Sequence, residues 1–286
     1  MSASTPSPRV LVEPEELARL LELTDPPVVA DLRWALGGPP GLADFEAGHI
    51  PGAQWVDLER ELSAIPSGPG GRHPLPEPAV FERAMRRIGV CSGSAVVAYD
   101  AGSSLAASRL WWLLTDAGHP DVRVLNGGLA AWQAHGLPVR RGAAASAPPG
   151  DFSARPGQCR QVNAAQVAAG LDQGTPVIDV RAPERYSGAV EPMDPVAGHI
   201  PGAINLPSMA NLDDTGRFLD ATTIATRYAG ATVGESPVVY CGSGITAAHT
   251  LLAMAQAGIG GASLYAGSWS DWVSDSARPV ATGDQP

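Results

Sequence analysis

The sequence predicts an α/β protein made of two tandem copies of one domain, each a mainly parallel sheet flanked by helices. Three observations predict it. Short β-branched runs alternate with apolar stretches of helical period, a set of motifs returns in the same order in the second half, and 286 residues with 44% hydrophobic content suffice for two cores.

In the first half, Pro14 to Leu21 has proline and acids at its front and leucines at helical spacing, which predicts a short helix. Val28 to Trp34 reads as a buried strand with polar residues at its C-terminal end. A Gly/Pro loop and the segment Asp44 to Ala53 follow. The Pro/Gly-rich stretch Pro66 to Pro78 predicts a long loop, and Glu77 to Ile88 a helix. Ala95 to Tyr99 is a second buried strand, leading through Asp100-Ala101-Gly102-Ser103 into a helix around Ala106 to Leu114. The strand Val122 to Leu125 and the helix Leu129 to Ala134 close this half.

The pattern then begins again. Asp31-Leu32-Arg33 returns as Asp179-Val180-Arg181, Gly48-His49-Ile50-Pro51-Gly52-Ala53 as Gly198-His199-Ile200-Pro201-Gly202-Ala203, and Val97-Ala98-Tyr99 as Val238-Val239-Tyr240. Leu125 to Trp132 is echoed by Leu264 to Trp272. The division expected is a first domain over 9–140, an Ala/Gly/Pro/Ser linker over 141–157, and a second domain over 158–286.

Composition narrows the function. A net charge of −10 and a pI near 5.0 argue against nucleic acid or an anionic membrane surface as the main partner. No apolar run reaches the length of a membrane span, and the polar stretch Met1 to Pro8 reads as no export signal. Three cysteines imply no disulfide framework, and a thiol meant to react is best kept reduced, so a cytoplasmic location is expected. Histidines and cysteines lack ligand spacing, and no metal or cofactor is implied.

The chemistry concentrates at Val238-Val239-Tyr240-Cys241-Gly242-Ser243-Gly244-Ile245-Thr246-Ala247-Ala248. A strand that ends on a thiol and turns at once into a helix aims backbone N–H groups and the positive end of the helix dipole at the sulfur, favouring the thiolate. Gly242 and Gly244 bring the backbone close to a bound atom. Where the second half carries Cys241, the first carries Asp100, so only the second half is expected to perform thiol chemistry. Features found in both halves read as structural, and those unique to one half as functional candidates.

On these residues the chain resembles the two-domain rhodanese family of sulfurtransferases over essentially its whole length. The paired Gly-His-Ile-Pro-Gly-Ala segments, the Asp-Val-Arg strand end and the Cys-Gly-Ser-Gly-Ile-Thr loop carry the resemblance together. It implies that Cys241 takes a sulfane sulfur from a small anionic donor as a persulfide and passes it to a thiophilic acceptor, cyanide or a thiol. The loop is similar to that of 3-mercaptopyruvate sulfurtransferases and lacks the basic pair of thiosulfate-preferring rhodaneses, which points to a monocarboxylate donor; a thiosulfate donor and a persulfide carrier or redox sensor without turnover are the alternatives. The resemblance makes Arg185 a substrate-binding arginine, with Gly242, Gly244, Ile245 and Thr246 around the bound sulfur. It makes Ser243 and His49 two members of a Ser-His-Asp proton relay whose aspartate the sequence does not place; Asp44 is nearby, but its spacing to His49 is short.

Ser187 to Ala197 contains no arginine, so the family's second donor-binding arginine has no counterpart there. Trp34 is expected to wall a cleft between the domains. Trp111, Trp112, Trp132, Trp269 and Trp272 read as core or interface, Arg72-His73 as a solvated loop with an edge of the site as the alternative, and Cys91 and Cys159 as inert. Cysteine phosphatases use a similar cradle but need an arginine six positions after the cysteine, where this chain has Ala247.

Overall fold

The structure is a computed structural model, which describes residues 9–68, 70–232 and 236–286. The first repeat runs β1 (Leu11–Val12), α1 (Pro14–Leu20), β2 (Val28–Asp31), α2 (Leu42–Ala47), β3 (Gln54–Trp55), α3 (Leu58–Glu61), α4 (Pro78–Arg87), β4 (Val96–Tyr99), α5 (Leu105–Asp116), β5 (Val122–Leu125) and α6 (Gly128–Ala134). The second runs α7 (Ala164–Asp172), β6 (Val177–Asp179), α8 (Pro183–Tyr186), β7 (Ile204–Asn205), α9 (Ala221–Tyr228), β8 (Val238–Tyr240), α10 (Ile245–Gln256), β9 (Ser263–Leu264) and α11 (Ser268–Trp272).

Each repeat folds around one parallel sheet. The strand order is β1-β5-β4-β2-β3 in the first and β7-β6-β8-β9 in the second. A single parallel bridge from Gln161 to Leu264 stands where β1 stands in the first repeat. Parallel strands need helical crossovers, so both sheet faces are covered and the central strands, such as Val96–Tyr99, are buried throughout.

The repeated motifs hold the strand ends. Arg33 forks onto the Asp31 carboxylate and donates to the Gly48 carbonyl at 2.8 Å; Arg181 does the same with Asp179 and with the Gly198 carbonyl at 2.6 Å. The first fork also ends β2 at Asp31. The carboxylate takes the Arg33 backbone N–H at 3.0 Å, which turns the chain before Trp34 and leaves that tryptophan beyond the carboxyl end of the sheet.

The two repeats share a core. Helices α5 and α10 pack against each other, and one apolar cluster contains Leu110 and Leu113 from the first with Leu251 and Leu252 from the second. Residues 141–157 contain no helix or strand and lie against the first repeat. There Phe152 is buried edge-on to Phe81, and Gly150 passes so close to Val90 that a Cβ would sit 1.9 Å from its carbonyl oxygen. All five tryptophans expected in core or interface are buried.

Candidate active site

The cysteine loop joins the carboxyl end of β8 to the amino end of α10. Gly244 caps the helix in the left-handed region at φ 84, and a Cβ there would meet the Ala266 carbonyl oxygen at 2.3 Å. Only glycine fits. Its N–H donates to Cys241 Sγ at 3.1 Å. From behind, the Trp269 N–H donates to the Cys241 carbonyl at 2.9 Å and the Ser270 N–H to that of Gly242 at 3.0 Å. Ser268 Oγ accepts the Cys241 N–H at 3.1 Å and donates to the Tyr265 carbonyl at 2.9 Å, so its contact with the sulfur at 3.9 Å is packing. Among the described residues the N–H groups of Gly242 and Ser243 have no protein acceptor. Those of Ile245 and Thr246 open α10, where first-turn amides have no partner within the helix.

Cys241 is 2% exposed and opens onto a cavity of about 450 Å³ between the repeats. Of the residues expected at the site, Cys241, Gly242, Ser243, Ile245, Thr246, Arg185 and Trp34 line this cavity. Gly244 holds the loop from beneath. The first repeat contributes Arg72, Asp100 and Leu105 as well. Cys91 and Cys159 are free thiols that do not line it, and burial beside Asp116 pushes Cys159 up to about 11.

His49 is not at this site, which corrects the expectation for it. Its ring lies 3.9 Å from that of Phe45 in a parallel stack, its Nδ1 is 2.9 Å from the Phe45 carbonyl, and it lines a different cavity beside Pro51 and Arg140. His199 repeats the arrangement on Tyr186, with rings at 3.7 Å and Nδ1 at 2.8 Å from the carbonyl. The shared motif is a structural pair. Asp44 lies on α2 and lines a third cavity.

The histidine that meets Ser243 is His73, which is buried rather than on a solvated loop. Its Nδ1 is 2.7 Å from Ser243 Oγ and its Nε2 is 3.2 Å from Glu59 Oε1. Burial, aided by the charges of Arg109 and Arg72 and opposed by Glu59, lowers its pKa. A neutral imidazole has one donor and one acceptor. Because the carboxylate accepts only, the proton sits on Nε2 and the Nδ1 lone pair takes the Ser243 hydroxyl. Glu59 Oε1 also accepts the Trp34 indole N–H at 2.8 Å, and Trp34 stands edge-on to the His73 ring at 5.7 Å. The acid that meets His73 is thus a glutamate, presented by α3, whose start Asp57 caps by accepting the N–H groups of Glu59 and Arg60.

Two arginines flank the loop, one from each repeat. A Cβ on Gly242 would be 3.3 Å from Arg185 Nη1 and 3.7 Å from Arg72 Nη2. Arg185 is held by Glu191 through Nε and Nη2, at 2.7 to 3.2 Å, and Arg72 by Asp194 at 2.9 and 3.3 Å. Burial pushes the Glu191 carboxyl up, but its hydrogen bonds with Arg185 and backbone N–H groups win and hold it low. Arg185 Nη1 has no acceptor among the described residues, and Arg72 Nε is buried without one. A third guanidinium, Arg109 of α5, is fully buried. It donates to the carbonyls of His73 at 3.0 Å, Pro74 at 3.2 Å and Gly244 at 3.4 Å, joining the His73 loop to the cysteine loop. Burial lowers its pKa to about 10, and the nearby Cys241 sulfur opposes that shift.

The sequence reading missed Glu59 and Arg109 and set aside Arg72 and His73. A usable signal was present: unlike His49, whose twin is His199, His73 belongs to none of the repeated motifs. Among the described residues no group of three or more His, Cys, Asp or Glu side chains is arranged to hold a metal ion, and no helix is long and apolar enough to cross a membrane.

Two parallel α/β repeats with one cysteine loop facing their shared cleft define the class. The model of the rhodanese-like domain matches residues 13–135 and 163–275, and the chain belongs to that family. It is 45% identical over 281 residues to a probable 3-mercaptopyruvate sulfurtransferase of Pseudomonas aeruginosa, covering 96% of this chain and 98% of that one. It is 42% identical over 282 residues to SseB of Mycobacterium tuberculosis, a putative thiosulfate sulfurtransferase, at the same coverage. The crystal structure of SseA from Escherichia coli, described as a 3-mercaptopyruvate sulfotransferase, superposes with a TM-score of 0.80 at 32% identity, over 92% of this chain and 99% of that one.

Proposed function

We propose that the protein is a sulfurtransferase that moves a sulfane sulfur from 3-mercaptopyruvate to cyanide or a thiol through a persulfide on Cys241. The observation that carries the reading is the Ser243–His73–Glu59 chain beside the Cys241 sulfur, because this donor has a proton to move and thiosulfate has none. The Cys241 thiolate attacks the donor sulfur; an S–S bond forms, the C–S bond breaks, and its electron pair leaves on the carbon as the enolate of pyruvate. The donor's S–H proton passes by way of Ser243 and His73 to that carbon, giving pyruvate and an anionic persulfide. Cyanide then takes the outer sulfur as thiocyanate and returns the thiolate.

The unpaired amides of Gly242, Ser243, Ile245 and Thr246 are donors for the persulfide anion. Arg185 Nη1 and Arg72 Nη2, the guanidinium nitrogens nearest the cysteine loop, supply the grip on the donor carboxylate, so Arg72 takes the place of the arginine missing from Ser187 to Ala197. Trp34 walls the cavity and orders Glu59, while Arg109 fixes the two loops and adds positive charge behind the sulfur. Such a thiol works in a reducing compartment, and we take the cytoplasm as its place.

The relatives carry both donor names, so the test compares donors directly. Steady-state kinetics with 3-mercaptopyruvate and thiosulfate, each with cyanide as acceptor, are expected to give the higher kcat/KM for mercaptopyruvate and no turnover by Cys241→Ser. Equal or reversed preference overturns the donor; turnover by the variant overturns the mechanism.

A further inference from the structure

The grip on the donor is already half occupied by the protein's own carboxylates. Asp194 sits between the two guanidinium groups, with Oδ1 2.9 Å from Arg72 Nη1 and Oδ2 3.3 Å from Arg72 Nη2 and 3.4 Å from Arg185 Nη2. Its side chain is 3% exposed, whereas those of Arg72 and Arg185 are 24% and 20% exposed. Solvent therefore screens the arginines more than the acid between them.

The surrounding charges cancel. Arg72, Arg181 and Arg185 are linked by ion pairs to Asp179, Glu191 and Asp194, three cations to three anions. Arg109, buried behind the cysteine loop, and Asp100, lining the cavity from the first repeat, are a further cation and anion. The site thus presents two forked hydrogen-bond donors with no net positive charge. A donor entering beside the Cys241 thiolate gains directed hydrogen bonds but little Coulombic attraction, and each unit of its own negative charge is repelled by the sulfur. A second charge on the donor is a penalty here.

Resting on the donor site proposed above, we infer that Asp194 is a specificity-determining residue, an internal anion that tunes the paired arginines to monoanionic sulfur donors and against dianionic ones. It does so by neutralising the clamp while leaving Arg185 Nη1 and one N–H of Arg72 Nη2 beside the loop for a single carboxylate. The loop from Ser187 to Ala197, which carries Glu191 and Asp194, is then the selectivity element.

Asp194→Asn keeps the shape and removes the charge. The kcat/KM ratio of thiosulfate to 3-mercaptopyruvate is expected to rise about tenfold, through a lower KM for thiosulfate, and the gain to shrink in high salt. Competitive inhibition of the mercaptopyruvate reaction by sulfate is expected to tighten more than inhibition by pyruvate. Asp194→Glu, which restores the charge, is expected to return the ratio toward that of the wild type. An unchanged or lower ratio in the Asn variant, or an equal shift in the Asn and Glu variants, overturns the inference and makes Asp194 a structural brace. A wild-type protein that turns over neither donor overturns the donor site itself; one that uses both, with a ratio indifferent to Asp194, overturns only the role of this residue.

Discussion

The two strand-to-helix loops that face the cavity are built alike and used differently. In the first repeat Asp100 occupies the position after the strand, and its carboxylate takes four backbone N–H groups: Gly102 at 3.0 Å, Ser104 at 2.9 Å, Ala106 at 3.0 Å and Ala107 at 3.4 Å. In the second repeat Cys241 stands there, receives one N–H from Gly244, and among the described residues leaves the amides of Gly242 and Ser243 without protein acceptors. The fold supplies an anion cradle twice. One is filled by the chain itself, and the other is left for the sulfur chemistry.

The comparison can be broken most severely at the thiol. Cys241→Asp converts the second loop to the chemistry of the first. It is expected to fold, to bind the carboxylate in its own amides, and to lose turnover by roughly 10³-fold or more, the scale of removing a nucleophile. Residual thiocyanate formation above that level would mean that another group carries the sulfur.

The caps come next. Both helices start from a left-handed residue, Ser104 at φ 60 and Gly244 at φ 84. Gly244→Ala is expected to cost about 3 kcal/mol in denaturant unfolding, from backbone strain and the carbonyl of Ala266. Ser104→Gly relieves strain and removes a buried hydroxyl without a partner, so it is expected to be neutral or stabilising by up to about 1 kcal/mol. Equal effects would show that the two loops are not under the same constraint.

The hydrogen-bonded chain Ser243–His73–Glu59, proposed above as a proton relay, touches only the second loop. His73→Asn is expected to lower kcat with 3-mercaptopyruvate by about 10²-fold and to affect thiosulfate turnover less. The sign of the pH dependence follows from burial. His73 has its pKa lowered, so it is neutral and able to accept a proton at pH 7, and activity falls only as the pH drops below the usual imidazole range. That acid limb should vanish in His73→Asn. A limb that persists would assign the titration elsewhere.

The smallest effect on turnover is expected at the proposed clamp. Arg185→Ala and Arg72→Ala are each expected to raise KM for 3-mercaptopyruvate about tenfold, the loss of one charged hydrogen bond. An unchanged KM would return that arginine to a purely structural ion pair.

Much of this was legible in the sequence because local chemistry and repetition coincide there. The cysteine loop announces its strand, its glycines and its helix within eleven residues, and the paired motifs define two α/β units. Those motifs are also where the reading misled. Gly-His-Ile-Pro-Gly-Ala stands out by recurring, but it recurs because Arg33 and Arg181, stacked His49 and His199, and the buried Tyr99 and Tyr240 hydroxyls brace both sheets.

The His73–Glu59 pair and the second arginine escaped for the opposite reason. Glu59, Arg72 and His73 lie on a short helix and a Pro/Gly-rich loop of the other repeat, with no periodicity to mark them. They come to the cysteine loop, His73 onto Ser243 itself, where α5 packs on α10 and Arg109 ties the loops together. Burial of a polar loop between domains is a tertiary fact that local pattern does not encode.

The most direct test is the mass of the protein after it meets donor. Incubation with 3-mercaptopyruvate, followed by digestion and peptide mass spectrometry, should place one added sulfur atom on Cys241, removed again by cyanide with release of thiocyanate. Sulfur found on Cys91 or Cys159, or on no thiol in a protein that still turns over, would contradict the account.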